Sequence, residues 1–364
     1  REIALLILQQ MSLGLSGKQV DNSLVLEKGY RGKTNEQGRL KMSADSGTAM
    51  GHLGYLHSWI ESESVLDTLK LNLMSYKQIT ELGMFSSGLG VPPWEVMPVT
   101  ENCDVARSIQ DSLIGRLMPM NRFLLLSENN NGLHITEGIR HKKLIDGKAD
   151  PTITYSLKGK EPKAVWSDPQ KRPWRQLPAL LSFLSAQGDK FMSHQIKLGI
   201  DRTKVLGRPF KVVSCGLRVS TTAGEASPRG KDDYVFSSVD LEPKYLNEEW
   251  FLKFQLLLNW IDQVGRQVYV SVKKYQQYFK VGDSGASAKA ATSSQLFWRS
   301  IEPLINQITE SCGDTDITKT IEIERRIMRI GNEIYSQNCP SNTARQIEAW
   351  AENKPYFKPL HQEG

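Results

Sequence analysis

Residues 12–19, SLGLSGKQ, follow the short apolar run IALLIL at 3–8 and present the glycine–lysine pair that a phosphate-cradling loop uses. Such a loop needs an earlier glycine in the pattern GxxxxGK and a Ser or Thr after the lysine, because backbone amides wrap the phosphates and the hydroxyl meets magnesium. Gln19 stands in the hydroxyl position. The second glycine–lysine pair, Gly32-Lys33-Thr34, has the hydroxyl but carries Glu27 where the first glycine belongs. A carboxylate there would repel phosphate, so both read as surface turns rather than nucleotide sites. Metal chemistry fares no better. Cys103, Cys215, Cys312 and Cys339 lie far apart with no CxxC pair, and His52 and His57, five apart, have no such pair to complete a zinc site. Reduced thiols and structural or surface histidines are expected. No cofactor and no catalytic residue are assigned.

What remains is charge. The 364 residues carry a net +6, and residues 120–232 hold 20 Lys and Arg against 10 Asp and Glu, so this segment is +10 and the remainder −4. Concentrated positive charge is the footprint of a phosphate-rich partner, although solvated basic loops give the same count. The longest apolar runs are far too short to span a bilayer and no signal-peptide pattern is present, so a soluble, cytoplasmic chain with no membrane partner is expected. Because the sequence opens at Arg1 inside an apolar run, an upstream portion is expected to be missing.

The elements that must position these residues fall into two kinds. Residues 24–27 read as a strand and 28–46 as a long exposed loop. SVLDTLKLNLM at 64–74 places Val65, Leu66, Leu69 and Leu73 on one helical face, with Ser64 as cap. Residues 83–98, with three glycines and three prolines, cannot be regular structure, and Trp94 is expected to anchor them. A helix is expected over 104–117, strands over 122–127, 152–156 and 211–215, a helix from about Trp174, and a Gly/Ser/Thr-rich loop over 216–234. Beyond Pro243 the chain turns helical. Trp250, Phe254, Leu257, Ile261, Val264 and Val268 form one stripe. After a Gly/Ala/Ser linker at 282–294 a second helix carries Phe297, Ile301, Leu304 and Ile308. A third carries Ile323, Ile327, Ile330 and Ile334, and Ser341 caps a fourth with Ile347 and Trp350. The fold class expected is α+β: a large mixed α/β domain over 1–243 and a C-terminal antiparallel four-helix bundle over 244–364.

Several blocks together, residues 3–17, GYLHSWIESESVLDTLKLNL at 54–73, PPWE at 92–95, IGRLMPMNRFLLL at 114–126, DPQKRPWRQLPALL at 168–181 and the helical tail from Asn247, resemble one family in consistent order. That family is CasA, the large subunit of the type I-E CRISPR surveillance complex Cascade. The resemblance implies a non-enzymatic subunit that reads the protospacer-adjacent motif (PAM) of double-stranded DNA from the minor groove, helps open the duplex and licenses recruitment of a helicase-nuclease. Its partners would be target DNA, guide RNA and the other Cascade subunits.

The family reads the motif with a glycine loop, a lysine finger and a wedge. Gly14, Leu15, Ser16 and Gly17 match the glycine loop, where missing side chains permit close approach to a narrow groove. The wedge corresponds to the residues after strand 211–215: Gly216-Leu217-Arg218 aligns with the family's Gly-aromatic-Arg, and Ser220, Thr221 and Thr222 fall at its tip. Small hydroxyl side chains there insert less bulk between base pairs than the family's amide. Arg218 would hold a phosphate or brace the loop. In place of the lysine finger stand Asn130 and Asn131, with Lys142 and Lys143 further along. Lys273, Lys274 and Arg325 would lie on the bundle face toward the displaced strand. A nuclease or NTPase, and a scaffold without DNA contact, remain the alternatives.

Overall fold

The computed structural model describes residues 55–92, 95–96, 103–114, 122–126, 133–137, 151–160, 162–168, 170–186, 190–218, 221–222, 225–226 and 233–361. The expected strand at 24–27, the loop at 28–46, the anchor Trp94 and His52 lie outside them. Within them helix and sheet are mixed and every strand pairing is antiparallel, so the fold is α+β.

The central sheet has the order β1 (His57–Glu61), β7 (Phe210–Arg218), β10 (Asp233–Leu241). Its inner face buries Ile60, Val212, Val239 and Leu241. The edge of β1 bridges Ile153 at His57 and is closed at its other end by a side chain: Asn72 donates to the carbonyl of Ile60 at 2.6 Å and accepts its amide at 2.9 Å, replacing the ladder a further strand would make. Asn72 ends α1 (Val65–Asn72), which Ser64 caps as expected. Arg202 of α5 (His194–Leu206) donates to the carbonyls of Lys70 and Leu73 at 2.6 Å each, satisfying the last turn of α1 from outside.

The apolar face expected to bury α1 does not do so. Val65, Leu66, Leu69 and Leu73 are exposed and only Leu71 is buried, because the register is set by the polar grip of Asn72 and Arg202 on the opposite side. A smaller core gathers Ile79, Phe85 and Leu113 from α2 (Tyr76–Glu81) and the residues around α3 (Asp104–Gln110). Here residues 83–92 are irregular, as expected, and Gly90 adopts φ +78° where a Cβ would lie 2.2 Å from the Ser112 hydroxyl. The helix expected over 104–117 closes at Gln110.

The strand expected at 122–127 is β2 (Arg122–Leu126), paired with β3 (Leu133–Glu137). Only Tyr155–Ser156 of the next expected strand is ladder, β4, lying between β5 (Lys163–Ala164) and β6 (Phe191–Met192). The helix expected from Trp174 is broken into a 3-10 turn at Pro173–Gln176, a single α turn α4 (Leu177–Leu180) and a second 3-10 turn at Ser182–Leu184. Pro178 sits inside it and removes a backbone donor.

Beyond residue 247 the expectation holds best. Asn247 caps α6 (Glu248–Tyr278), and the stripe from Trp250 to Val268 is buried. The linker expected at 282–294 is helix instead: α7 (Asp283–Ile301) starts there, and Ala286, Ala290 and Ser293 are buried where α7 meets α6. Alanine is the strongest helix former and its small side chain permits close approach. Pro303 then divides the second helix at a 3-10 turn, Glu302–Leu304, before α8 (Ile305–Gly313). α9 (Ile317–Asn338) packs on α6, α7 and α8. The last helix, α10 (Ala344–Glu352), is capped by Thr343 in a capping box with Gln346 rather than by Ser341.

One hydrophobic cluster runs without interruption from Ile60 and Val212 of the sheet through Trp174 and Leu180 to Phe254, Phe297, Ile327 and Phe357. No disulfide joins any of the four cysteines. Burial pushes the thiols of Cys312 and Cys339 up to about 12, so both are neutral packing groups. No helix among the described residues is long and apolar enough to cross a membrane.

Candidate nucleic-acid interface

The site expected from the sequence is only partly within the described residues. Gly14, Leu15, Ser16, Gly17, Asn130, Asn131, Lys142, Lys143 and Ser220 lie outside them. Arg218, Thr221 and Thr222 are placed by their backbone.

Residues 216–234 differ from the loop expected. β7 continues to Arg218, which is register partner to Asp233, so β7 and β10 form a nine-pair antiparallel ribbon from Phe210↔Leu241 outward. The sequence beyond Arg218 pairs again: β8 (Thr221–Thr222) lies against β9 (Glu225–Ala226), with Thr222 opposite Glu225 and two residues between them in sequence. Thr221 and Thr222 are therefore paired steps of a β-hairpin rather than the free tip. Val235, Ser237, Val239 and Leu241 alternate inward along β10. This period-two pattern in DYVFSSVDL is the signal that the composition of the surrounding residues obscured.

Gly216 explains how the ribbon leaves the sheet. The chain before β1 turns away from β7 to bridge Tyr55 with Trp166, and Ser167 crosses directly over Gly216. A Cβ on Gly216 would lie 2.5 Å from the Ser167 Cβ and 2.9 Å from the Tyr55 carbonyl oxygen. Gly216→Val is therefore expected to destabilise the fold by about 3 kcal/mol through overpacking. A lowered melting midpoint together with faster amide exchange along β7 and β10 would show this, and unchanged exchange there would refute it.

The outward face of the ribbon near its Arg218–Asp233 end is apolar. Tyr234 is 55% exposed, Phe236 and Leu217 are also exposed, and the two rings lie 6.3 Å apart at 23°. Sequence reading missed this face. Exposed rings on a sheet suit base stacking. Of the helical cations, Lys273 is half-buried in an ion pair with Asp283 at 2.9 Å, whereas Lys274 and Arg325 are exposed on α6 and α9. Among the described residues no group of three or more His, Cys, Asp or Glu side chains is arranged to hold a metal ion.

A family model described as CRISPR-associated protein Cse1 matches residues 1–332. The chain belongs to the Cse1 family. This is the CasA family of Cascade large subunits that the sequence blocks resemble. Among solved structures, CasA of Thermus thermophilus matches with a TM-score of 0.61 at 14% identity, covering 86% of this chain and 66% of its own. Cse1 of Acidimicrobium ferrooxidans matches with 0.61 at 13%, covering 86% and 64%. Cse1 of Thermobifida fusca matches with 0.61 at 13%, covering 94% and 67%. The Cse1 chain thus spans about two thirds of the length of these relatives, which share its fold. No curated protein matches.

Proposed function

We propose that this Cse1 chain is the motif-reading large subunit of an RNA-guided surveillance complex, acting on double-stranded DNA without catalysis of its own. The observation that carries the reading is the family match over 1–332, which takes in both the Gly14 to Gly17 sequence and the 210–241 ribbon. Residues 1–243 would meet the duplex, and 244–364 would form the family's four-helix bundle beside the displaced strand. Gly14, Leu15, Ser16 and Gly17 would bring backbone groups to minor-groove base edges, where A·T and G·C are distinguished only coarsely. The β8–β9 hairpin is the wedge: inserted at the first base step, it costs a few kcal/mol of unstacking that guide pairing then offsets. The exposed face of Tyr234 and Phe236 near the outer end of the ribbon supports this placement, because an aromatic surface stacks an unpaired base. A separate helicase-nuclease would supply cleavage after recruitment to the opened complex.

In an assembled complex, Gly17→Trp is expected to leave guide-RNA binding and subunit assembly intact. Affinity for motif-bearing duplex should fall about a hundredfold, two groove contacts of ~1.4 kcal/mol each. Mobility shifts on guide-matched duplexes with and without the motif measure this. Equal affinity of the variant and the unsubstituted complex for motif-bearing duplex would overturn the reading.

A further inference from the structure

Between the 168–176 segment and the facing sides of α6 and α7 lies a cleft of about 450 Å³ that the proposed reading does not use. Its wall is built around one carboxylate. Asp262 Oδ1 accepts from Arg175 Nη2 at 2.9 Å, and Asp262 Oδ2 accepts from Arg266 Nε, one turn further along α6, at 2.8 Å. The Arg175 guanidinium also lies 3.5 Å from the centre of the Trp298 ring, so it is held from two sides. Its side chain is only 16% exposed.

Burial lowers the Arg175 pKa, and the charge and hydrogen bond of Asp262 act in the opposite direction without cancelling that effect. The guanidinium stays charged, as arginine does in proteins, but its lost hydration is not fully replaced. Two further cations face the same space. Lys171 is exposed on the segment, and the Arg266 side chain is 80% exposed and uses its Nε on Asp262. Among the described residues neither the Lys171 ammonium nor the Arg266 Nη groups have a carboxylate partner of their own. Asp168 is the second carboxylate of the lining, so three cations meet two anions. Ser294 and Gln295 of α7 add neutral donors.

We infer that this cleft binds a phosphate group, with Lys171 and Arg266 contacting it and Arg175 fixing the charged wall. Arginine forks and a lysine point charge converging on one space match the tetrahedral oxyanion, and the volume falls in the range of small-molecule sites. The phosphate would come either from a free mononucleotide or from the backbone of a single strand. Binding of a free mononucleotide would be independent of the motif-reading proposal, whereas binding of a strand rests on it, since that proposal sets α6 and α7 beside the displaced strand.

Calorimetric titration of the full chain at low salt, with thymidine 5′-monophosphate and separately with oligothymidylate, tests it. Saturable binding of at least one is expected, weakened about tenfold by Lys171→Ala and by Arg266→Ala, each losing one charge-assisted contact. Asp168→Asn is expected to tighten binding severalfold by removing a repulsive charge while keeping the Oδ1 that accepts the Gln170 amide at 2.9 Å. Lys354→Ala, an equal loss of charge on an exposed residue after α10, is expected to change nothing. Binding of the mononucleotide identifies a nucleotide site, and binding of oligothymidylate alone identifies a strand site. No saturable binding of either, or equal weakening by Lys354→Ala, overturns the inference.

Discussion

Trp250→Ala is expected to lower the stability of the folded chain by about 4 kcal/mol, the middle of the range for deleting a buried aromatic side chain. The residue is 2% exposed near the start of α6 and stacks on Phe254 with ring centres 5.1 Å apart at 11°. Its indole N–H donates to the Thr309 carbonyl at 2.9 Å. Thr309 in turn donates from its hydroxyl to the Asn306 carbonyl at 2.8 Å, and Asn306 accepts the backbone amide of Asp240 in β10 at 3.1 Å. One side chain thus ties α6 to α8 and, through α8, to the edge of the central sheet. Alanine leaves both a cavity and a buried carbonyl without its donor. Trp250→Phe keeps most of the ring volume and loses only the donor, so it is expected to cost about 1 kcal/mol more than the volume change alone. Guanidinium unfolding midpoints separate the two. If Phe costs as much as Ala, the indole N–H rather than packing dominates and the larger figure is misassigned.

The same junction shows why the helical part is legible in sequence and the rest only in pieces. α6 buries a stripe whose members repeat every three or four residues, and nothing non-local competes with that pattern. α7 is hidden by its own composition. Gly, Ala and Ser suggest a linker, yet Ala286, Ala290 and Ser293 are small because the neighbouring helix is close. α5 carries Gly199 at its centre, where a Cβ would lie 2.6 Å from Ile60 Cγ1, so a residue that weakens local helix preference is required by the sheet beneath it. α1 misleads in the opposite sense. Its apolar face is exposed because the polar contacts of Asn72 and Arg202 fix the other face inward, and those partners lie up to 132 residues away.

For the interface, the order and spacing of motif blocks identify the family, and the strand leading into the proposed wedge is readable as far as Cys215. The remainder of the ribbon depends on pairing across the hairpin, which no single segment reveals. The phosphate cleft is beyond sequence reading altogether. Its charged wall joins Arg175 to Asp262, 87 residues apart, and seats Arg175 on Trp298. The cleft also marks where residues 170–176 meet the helices. Arg172 pairs with Glu302 at 3.1 Å and Trp174 lies 5.9 Å from Trp298, so that contact is both apolar and charged.

Glu324→Ala is the second substitution with a large expected effect, a loss of about 3 kcal/mol from three hydrogen bonds at ~1 kcal/mol each. The carboxylate is 1% exposed inside α9, and it holds the end of the chain. Its Oε2 accepts the backbone amides of Leu360 and His361 at 3.0 and 3.2 Å, while Oε1 faces His361 Nδ1 at 2.5 Å. The strap after α10 is seated by two further contacts. The indole of Trp260 donates to the Lys358 carbonyl at 2.8 Å, and the Phe357 ring fills the space over Gly331, where a Cβ would lie 2.8 Å from it. Because Phe357 belongs to the main core, releasing the strap opens the cluster between α6 and α9. Glu324→Gln retains an oxygen for the two amides and removes only the charge, so it is expected to cost about 1 kcal/mol. Hydrogen exchange at the Leu360 and His361 amides, read beside the melting midpoint, distinguishes a strap from a general core defect. Alanine must expose those two amides before the rest of α9 opens, and protection lost uniformly along α9 would show that Glu324 supports the helix itself.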